Sequence, residues 1–402
     1  MVPDAGRPNP HRFVLTFAFL LLASCSEAPP AAVKVPSCVG IVVPVVPTVA
    51  DLWARREVPV RAVYFENRKA GWIVDNFGLW RTQDGGRSWR EIPGFADYSF
   101  RDVYFESASK LWILVQVTEQ NNRRVLLLRT TDRGSTWFPA TPCLTLEGSF
   151  EEPRYLLHFS GQTGLLCSSK SVFYTSDQGR TWSKSNLPQT YVTAHDRSQF
   201  SFVSTEHGWF LDKTKVCTLW ETKNSGASWV PVYEGDPGEA IQFIDRKTGF
   251  AVQSVGVRRP VLFFTNNSGA GWQELGYVPV EPEPFRSELT ALPDRTLLLG
   301  VGRRIPPGRS FWLSADLGET WSRVREDRDE SALAFFLNKS TGWVLQTGKM
   351  LDLLAPLRRM RRTVLFTDNG GQDWRALSTF DPDTEAWSHD PNAPTVDSET
   401  EN

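Results

Sequence analysis

An all-β fold, a seven-bladed β-propeller of four-stranded antiparallel blades, is what the sequence predicts. Three observations point to it. The eight-residue pattern Ser/Thr-x-Asp/Asn-x-Gly-x-x-Trp occurs seven times. Its closing tryptophans, Trp89, Trp137, Trp182, Trp229, Trp272, Trp321 and Trp374, stand 43 to 53 residues apart, a period that marks an array or a propeller. Each period also holds four short apolar segments and no convincing amphipathic helix, as a propeller blade requires.

Within the pattern each residue type has a reason. The third position is Asp84, Asp132, Asp177, Asn224, Asn267, Asp316 and Asn369 in turn. A short Asp or Asn side chain accepts hydrogen bonds from backbone N–H groups just ahead and closes a turn. Glycine at the fifth position supplies positive φ. The leading hydroxyl bonds within the same turn, and the tryptophan buries a large ring directly after it. An apolar run precedes the turn (GLW 78–80, VLLL 125–128, VFY 172–174, VLFF 261–264, FWL 311–313, VLF 364–366) and a short strand follows, so the pattern sits in a hairpin. Two more strands precede each hairpin, as in VRAVYF 60–65 with GWIV 71–74, or IQFI 241–244 with GFAV 249–252. The blades are expected over about 60–96, 97–142, 150–190, 197–236, 238–280, 286–327 and 330–380, with the terminal blades meeting face to face.

The repeat resembles the Asp-box (BNR) repeat of sialidases, sortilins and related propellers. With Gly71–Trp72, Gly208–Trp209, Gly249–Phe250 and Gly342–Trp343 opening second strands, residues 60–380 look most like the photosystem II stability/assembly factor family. That resemblance implies a non-catalytic propeller that binds a protein partner during photosystem assembly. A generic envelope scaffold unrelated to photosynthesis is the alternative the residues leave open.

Sialidases also carry Asp boxes, so a glycoside hydrolase is the contrasting reading. Arg304-Ile305-Pro306 echoes the sialidase Phe-Arg-Ile-Pro motif, yet it falls between the fifth and sixth boxes rather than ahead of the first. Glycosidases need two carboxylates at a set separation, and Glu151–Glu152 and Glu281/Glu283 are pairs in sequence that fall in expected inter-blade loops and carry no motif. His11, His158, His195, His207 and His389 are scattered without metal-ligand spacing. No P-loop, dinucleotide fingerprint or nucleophile elbow occurs, so the sequence calls for no cofactor or metal and no catalytic residue. Asn in three of the boxes points the same way, because a turn tolerates Asn where a catalytic carboxylate would not.

Residues 1–24 read as a signal peptide. Arg7 and Arg12 precede the ten-residue apolar core FVLTFAFLLL 13–22, too short to span a bilayer. Leu22-Ala23-Ser24-Cys25 resembles a bacterial lipobox, which implies acylation of Cys25 and a lipid anchor. The expected location is the cell envelope, facing the periplasm, with Ser26 compatible with outer-membrane sorting. Residues 25–59 contain six prolines and read as a stiff tether. Residues 381–402 hold seven acids and no Lys or Arg, and are expected to be disordered.

The whole chain of 402 residues has a formal net charge of −2. That balance argues against nucleic acid, which calls for a basic stripe. No cysteine pair has C-x-x-C spacing. Cys38, Cys143, Cys167 and Cys217 fit one or two disulfides as well as buried thiols. Two insertions interrupt the repeat: TEQNNRR 118–124, and GKMLDLLAPLRRMRRT 348–363 between the second and third strands of blade seven. Loops on a rigid scaffold are where binding tends to reside. Arg358, Arg359, Arg361 and Arg362 are therefore the partner-binding candidates, suited to an acidic or phosphate-bearing surface on a monomeric propeller.

Overall fold

The structure, a computed structural model, describes residues 62–391 except 76–77, 96–97, 120–121, 141–143, 146–154, 169–171, 187–198, 214–216, 254–258, 281–283, 305–306, 329–331, 348–360, 382 and 385. The signal peptide, Cys25, the tether, Cys38, Cys143, Arg358 and Arg359 lie outside the described residues. Among the described residues there is no α-helix.

Seven antiparallel sheets follow one another along the chain, as predicted. Blade one is β1 (Ala62–Phe65), β2 (Gly71–Asp75), β3 (Gly78–Thr82) and β4 (Arg90–Glu91). Blade two is β5 (Ser99–Phe105), β6 (Leu111–Glu119), β7 (Asn122–Thr130) and β8 (Phe138–Pro139), with β9 (Leu144–Thr145) added beside β7. Blade three is β10 (Tyr155–Ser160), β11 (Thr163–Ser168), β12 (Val172–Thr175) and β13 (Ser183–Lys184). Blade four is β14 (Phe200–Phe202), β15 (Gly208–Asp212), β16 (Thr218–Thr222) and β17 (Val230–Glu234). Blade five is β18 (Ala240–Phe243), β19 (Gly249–Gln253), β20 (Val261–Thr265) and β21 (Gln273–Tyr277). Blade six is β22 (Pro284–Ala291), β23 (Leu297–Arg304), β24 (Pro307–Ser314) and β25 (Ser322–Asp327). Blade seven is β26 (Leu333–Phe336), β27 (Gly342–Thr347), β28 (Arg362–Thr367), β29 (Arg375–Asp381) and β30 (Ala386–His389). First strands of successive blades lie side by side, β5 with β10, β14 with β18 and β18 with β22, and β26 meets β1 to close the ring.

The blades are joined by a recurrent aromatic sandwich. A phenylalanine at or one residue before the end of the first strand faces a glycine at or one residue after the start of the second: Phe65↔Gly71, Phe159↔Gly164, Phe202↔Gly208, Phe243↔Gly249 and Phe336↔Gly342. The ring lies flat over that glycine; a Cβ on Gly249 would come within 2.6 Å of the Phe243 ring. One side of the ring takes the turn tryptophan of its own blade edge-on, as in Phe243–Trp272 (6.0 Å, 75°). In blades one, three and five the other stacks on a tryptophan of the preceding blade, Phe65 on Trp343 (3.9 Å), Phe159 on Trp112 (4.3 Å) and Phe243 on Trp209 (3.6 Å), and in blade four Phe202 stacks on His158 (4.5 Å).

The two blades that break this rule show why it holds. Blade six exchanges the sizes, with Ala291 opposite Leu297. Blade two keeps the phenylalanine but sets Leu111 opposite Phe105, and the Phe105 ring stacks instead on Tyr64 of blade one at 4.9 Å.

The ring closes by the same contacts that join interior blades. Ser378 of blade seven donates to Gly86 O (2.6 Å) and accepts from Trp89 Nε1 (3.1 Å) of blade one. Ser185, just past β13, does the same to Gly226 O (2.6 Å) and Trp229 Nε1 (3.1 Å).

Two expectations are corrected. The insertion 118–124 is no separate loop: it lengthens β6 and β7 into nine-residue strands, with Glu119 paired to Asn122. The acidic tail expected to be disordered from 381 supplies β30, which pairs with β29 through Phe380↔Trp387 and Asp381↔Ala386. Trp387, absent from the charge count that suggested disorder, holds that strand by packing on Phe380 (5.5 Å) and Trp89 (5.6 Å).

The size exchange of blade six can be transplanted. Gly249→Leu is expected to lower unfolding free energy by about 1–3 kcal/mol through overpacking, and Phe243→Ala by about 3–5 kcal/mol through the cavity it leaves. The double variant should cost clearly less than the sum of the two in urea melts; strict additivity would refute the sandwich.

Candidate functional site

The repeated turn was the only motif the sequence offered with polar chemistry in every blade. In blade one Thr82 Oγ1 donates to Asp84 Oδ1 (2.7 Å) and accepts from Gly86 N (2.9 Å). Asp84 also accepts from Ser88 N (2.9 Å) and Ser88 Oγ (2.5 Å). Trp89 Nε1 returns to Gly86 O at 3.1 Å. The same bonds among hydroxyl, carboxylate and glycine N–H recur around Asp132, Asp177 and Asp316. Both oxygens of each carboxylate are therefore engaged inside their own turn.

The seventh position follows the third, a pairing the sequence reading did not use. Beside each Asp stands a hydroxyl donor: Ser88, Thr136, Thr181 and Thr320. Beside Asn the partner changes. Asn224 Nδ2 donates to Ser228 Oγ (2.7 Å), Asn369 Nδ2 donates to the Asp373 carboxylate (3.0 Å), and Asn267, whose seventh position is a glycine, accepts from Gly271 N (3.0 Å) and the Thr265 hydroxyl (2.8 Å). An amide has a donor to offer where a carboxylate has none. The boxes vary as self-contained hydrogen-bonding units.

The fourth position, any residue in the pattern, adopts positive φ in every box, including Arg133 (61°), Gln178 (61°) and Leu317 (60°). That conformation turns its N–H toward the turn between the first two strands, as in Gln178 N to Gln162 O (2.7 Å) and Gly370 N to Ser340 O (2.8 Å). Any residue type can donate that bond, so composition carries no signal of it. The fifth position is more restrictive: Gly371 has φ +84°, and a Cβ there would lie 2.6 Å from Val324 Cβ of blade six.

These turns gather on one rim of the propeller. There the box connections are seven residues each, and in six blades the first-to-second turns are five. On the opposite rim the second-to-third connections run from two residues in blade one to fourteen in blade seven. Of the candidate arginines, Arg358 and Arg359 lie outside the described residues, and the structure separates the other two. Arg361 is exposed, with a guanidinium nitrogen 3.8 Å from Asp381. Arg362 is not a loop residue; it opens β28 and is only 2% exposed. Its guanidinium lies 4.9 Å from the Trp80 ring of blade one and 4.6 Å from Phe380. It staples the closing seam, which corrects its assignment to partner binding.

Sequence reading missed the buried charged residues of blade six. Arg309 is 9% exposed and reaches Glu288 and Ala332 O, with a 3.2 Å bond to the latter. Gly300 and Gly302 share its sheet face and leave it room. Asp327 joins Arg325 (3.3 Å) to Gln346 of blade seven (2.5 Å). Arg303 pairs with Glu326 on the other face of blade six. Each of these groups has a partner within the propeller, whereas the Arg361 side chain is 64% exposed.

Elsewhere, His207 and Glu221 form a buried pair at 2.7 Å, and His158 stacks on Phe202 at 4.5 Å. Cys217 is a free thiol whose pKa is raised by burial and then by Asp236. Glu151, Glu152, His195, Glu281 and Glu283 lie outside the described residues. Among the described residues no group of three or more His, Cys, Asp or Glu is placed to hold a metal ion, and no helix is long and apolar enough to cross a membrane.

No protein-family model and no curated protein matches the chain. Among solved structures it is similar to YCF48 bound to D1 peptide, at 18% identity over 71% of this chain and 84% of that one, with a TM-score of 0.44. It is similar to YCF48 from Cyanidioschyzon merolae at 19% identity, covering 71% and 92%, with a TM-score of 0.48. An ancestral GH74 enzyme is similar at 12% identity, covering 82% of this chain and 46% of its own, with a TM-score of 0.48. At these identities the likeness is one of architecture.

The turns predict an acid-sensitive fold. Thr136, through its hydroxyl and N–H, holds the Asp132 carboxyl at about 2, and Thr320 does the same for Asp316. At Asp84 partial burial pushes the pKa up, but the bonds from Ser88 and Thr82 outweigh it and leave it lowered. A depressed folded-state pKa contributes stability above the unfolded value of about 3.9, lost as pH falls toward the folded value. Melting temperature should therefore drop between about pH 4 and pH 2, and Asp132→Asn with Asp316→Asn should flatten that slope. Conversely, Asn369→Asp sets a carboxylate against Asp373 and should lower the melting temperature at pH 7, with recovery below the carboxylate range.

Proposed function

We propose that this chain is a non-catalytic, lipid-anchored propeller that binds a protein partner in the bacterial envelope, in the manner of a photosystem II assembly or stability factor. The observation that carries the non-catalytic part is the engagement of Asp84, Asp132, Asp177 and Asp316 within their own turns. These carboxylates maintain geometry one blade at a time, and none of them is left to act on a substrate. Anchoring rests on the lipobox-like Leu22-Ala23-Ser24-Cys25 behind a short apolar core, since acyl chains bind membranes through their buried methylenes. Partner binding is assigned to the variable rim, where a fourteen-residue connection leaves blade seven. Arg358, Arg359 and Arg361 are its basic contacts, and an acidic or phosphorylated protein surface is the matching chemistry.

The test uses the full chain expressed in a photosynthetic host. Palmitate labelling should be lost in Cys25→Ala. Arg358→Ser, Arg359→Ser and Arg361→Ser together should cut capture of photosystem proteins from detergent-solubilised membranes by tenfold or more without moving the melting temperature. Arg362→Ser, by contrast, should lower the melting temperature. Capture that is unchanged by the triple substitution would remove the loop. Carboxylate-dependent hydrolysis of a fluorogenic sialoside or glucoside would overturn the non-catalytic reading.

A further inference from the structure

β30 is an addition to a blade that already has its four strands. It pairs with β29 over four residues, Ser378↔His389 to Asp381↔Ala386. Of its residues only Trp387 is shielded from solvent; Ala386, Ser388 and His389 are exposed. Trp387 sits between Phe380 and Trp89 of blade one. Ser388 Oγ donates to Thr379 O (3.2 Å) and Asp390 N to Leu377 O (3.1 Å). The fit is incomplete, because the indole Nε1 of Trp387 is buried without a hydrogen-bond partner.

The seat that receives Trp387 is held by other contacts. Trp89 is fixed through Nε1 to Gly86 O and Ser378 Oγ, both at 3.1 Å. Phe380 is held by the Arg362 guanidinium at 4.6 Å and by Trp80 at 6.1 Å. Withdrawing β30 would leave an aromatic seat beside a strand edge whose N–H and C=O groups need partners. Such edges recruit extended segments, and terminal strands are the elements that open most readily.

We propose that the outer edge of blade seven is a strand-docking site that β30 fills in cis, and that it accepts in trans an extended segment of a protein partner bearing a tryptophan flanked by small and acidic residues. The stated chemistry is that of the resident sequence Asp383-Thr384-Glu385-Ala386-Trp387-Ser388-His389-Asp390-Pro391. The tether from β29 is only residues 382–385, so β30 is present at an effective concentration on the order of millimolar. A partner must outcompete that concentration, which keeps the site closed to weak ligands. The site does not depend on the rim arginines, so the two proposals fail separately.

The probe is a fluorescein-labelled peptide of residues 383–391, measured by anisotropy against the full chain. Trp387→Ala vacates the seat, and Ser388→Pro disrupts the strand without altering the seat. Both variants should bind the peptide at least tenfold more tightly than the native chain, and a peptide with alanine in place of its tryptophan should lose that binding. Equal binding by native and variant chains, or indifference to the peptide's tryptophan, would overturn the proposal. So would loss of cooperative melting in both variants, which would make β30 part of the ring's core. A native-chain dimer that the peptide dissociates would place a second copy's β30 in the seat and overturn the partner assignment.

Discussion

The structure depends on one contact: a phenylalanine laid over a cross-strand glycine, met edge-on by the turn tryptophan of its own blade and, in blades one, three and five, stacked on a tryptophan of the blade before. Large aromatic rings dominate the energetics of a packed core, and here each ring belongs to two blades at once. The glycine is a spatial requirement, because a Cβ would occupy the plane in which Phe65, Phe159 or Phe243 lies. Where the glycine is absent, the phenylalanine is either replaced by alanine, as in blade six, or displaced onto a neighbouring tyrosine, as in blade two. A ring built of such contacts needs no interlocked strand to close. The seam between blades seven and one accordingly repeats the serine–tryptophan bridge found between blades three and four.

The hairpin turn follows from that contact. Its tryptophan must reach the phenylalanine edge, so the chain has to reverse tightly within a fixed number of residues. The threonine or serine that starts it is buried in every blade, with Thr130 and Thr367 at 0% exposure. A buried hydroxyl without partners would be costly. Donating to the Asp or Asn and accepting from the glycine N–H satisfies it. The third-position side chain can then be acid or amide, provided the seventh position supplies what it lacks. That is why Asn369 stands opposite Asp373 while Asp132 stands opposite Thr136.

This explains how much the sequence made legible. Blade number, strand order and turn position could be read because they depend on residue types with few substitutes: the turn glycine, the tryptophan, the Asp or Asn. The phenylalanine–glycine pairing was half visible, as Gly-Trp and Gly-Phe dipeptides, but its other half lies across a turn where only register reveals it. The positive φ at the fourth box position left no trace, because a backbone N–H is common to all residue types. Arg362 was misplaced for a related reason. In sequence it continues a run of loop arginines, and only the strand boundary separates it from Arg361. Its burial against Trp80 and Phe380 joins residues almost three hundred positions apart, a distance no local pattern spans. The tail was read by charge alone, and one tryptophan outweighed the acids around it.

The same logic bears on where the proposed partner would dock. On the rim of the repeated turns, the conserved geometry of each blade leaves the box side chains bonded to their own backbone and fixes the loop lengths. A partner there would meet seven similar surfaces with their hydrogen-bonding groups already engaged. The opposite rim is released from that constraint, because the second-to-third connections take no part in the sandwich and differ in length sevenfold across the blades. Blade seven departs furthest from the repeat at two places, its long connection and its added strand. Both meet at Asp381, which faces Arg361 on one side and pairs with Ala386 of β30 on the other. Asymmetry in a ring of near-equivalent blades is what allows a partner to select a single orientation, and in this chain the asymmetry is concentrated where the ring closes.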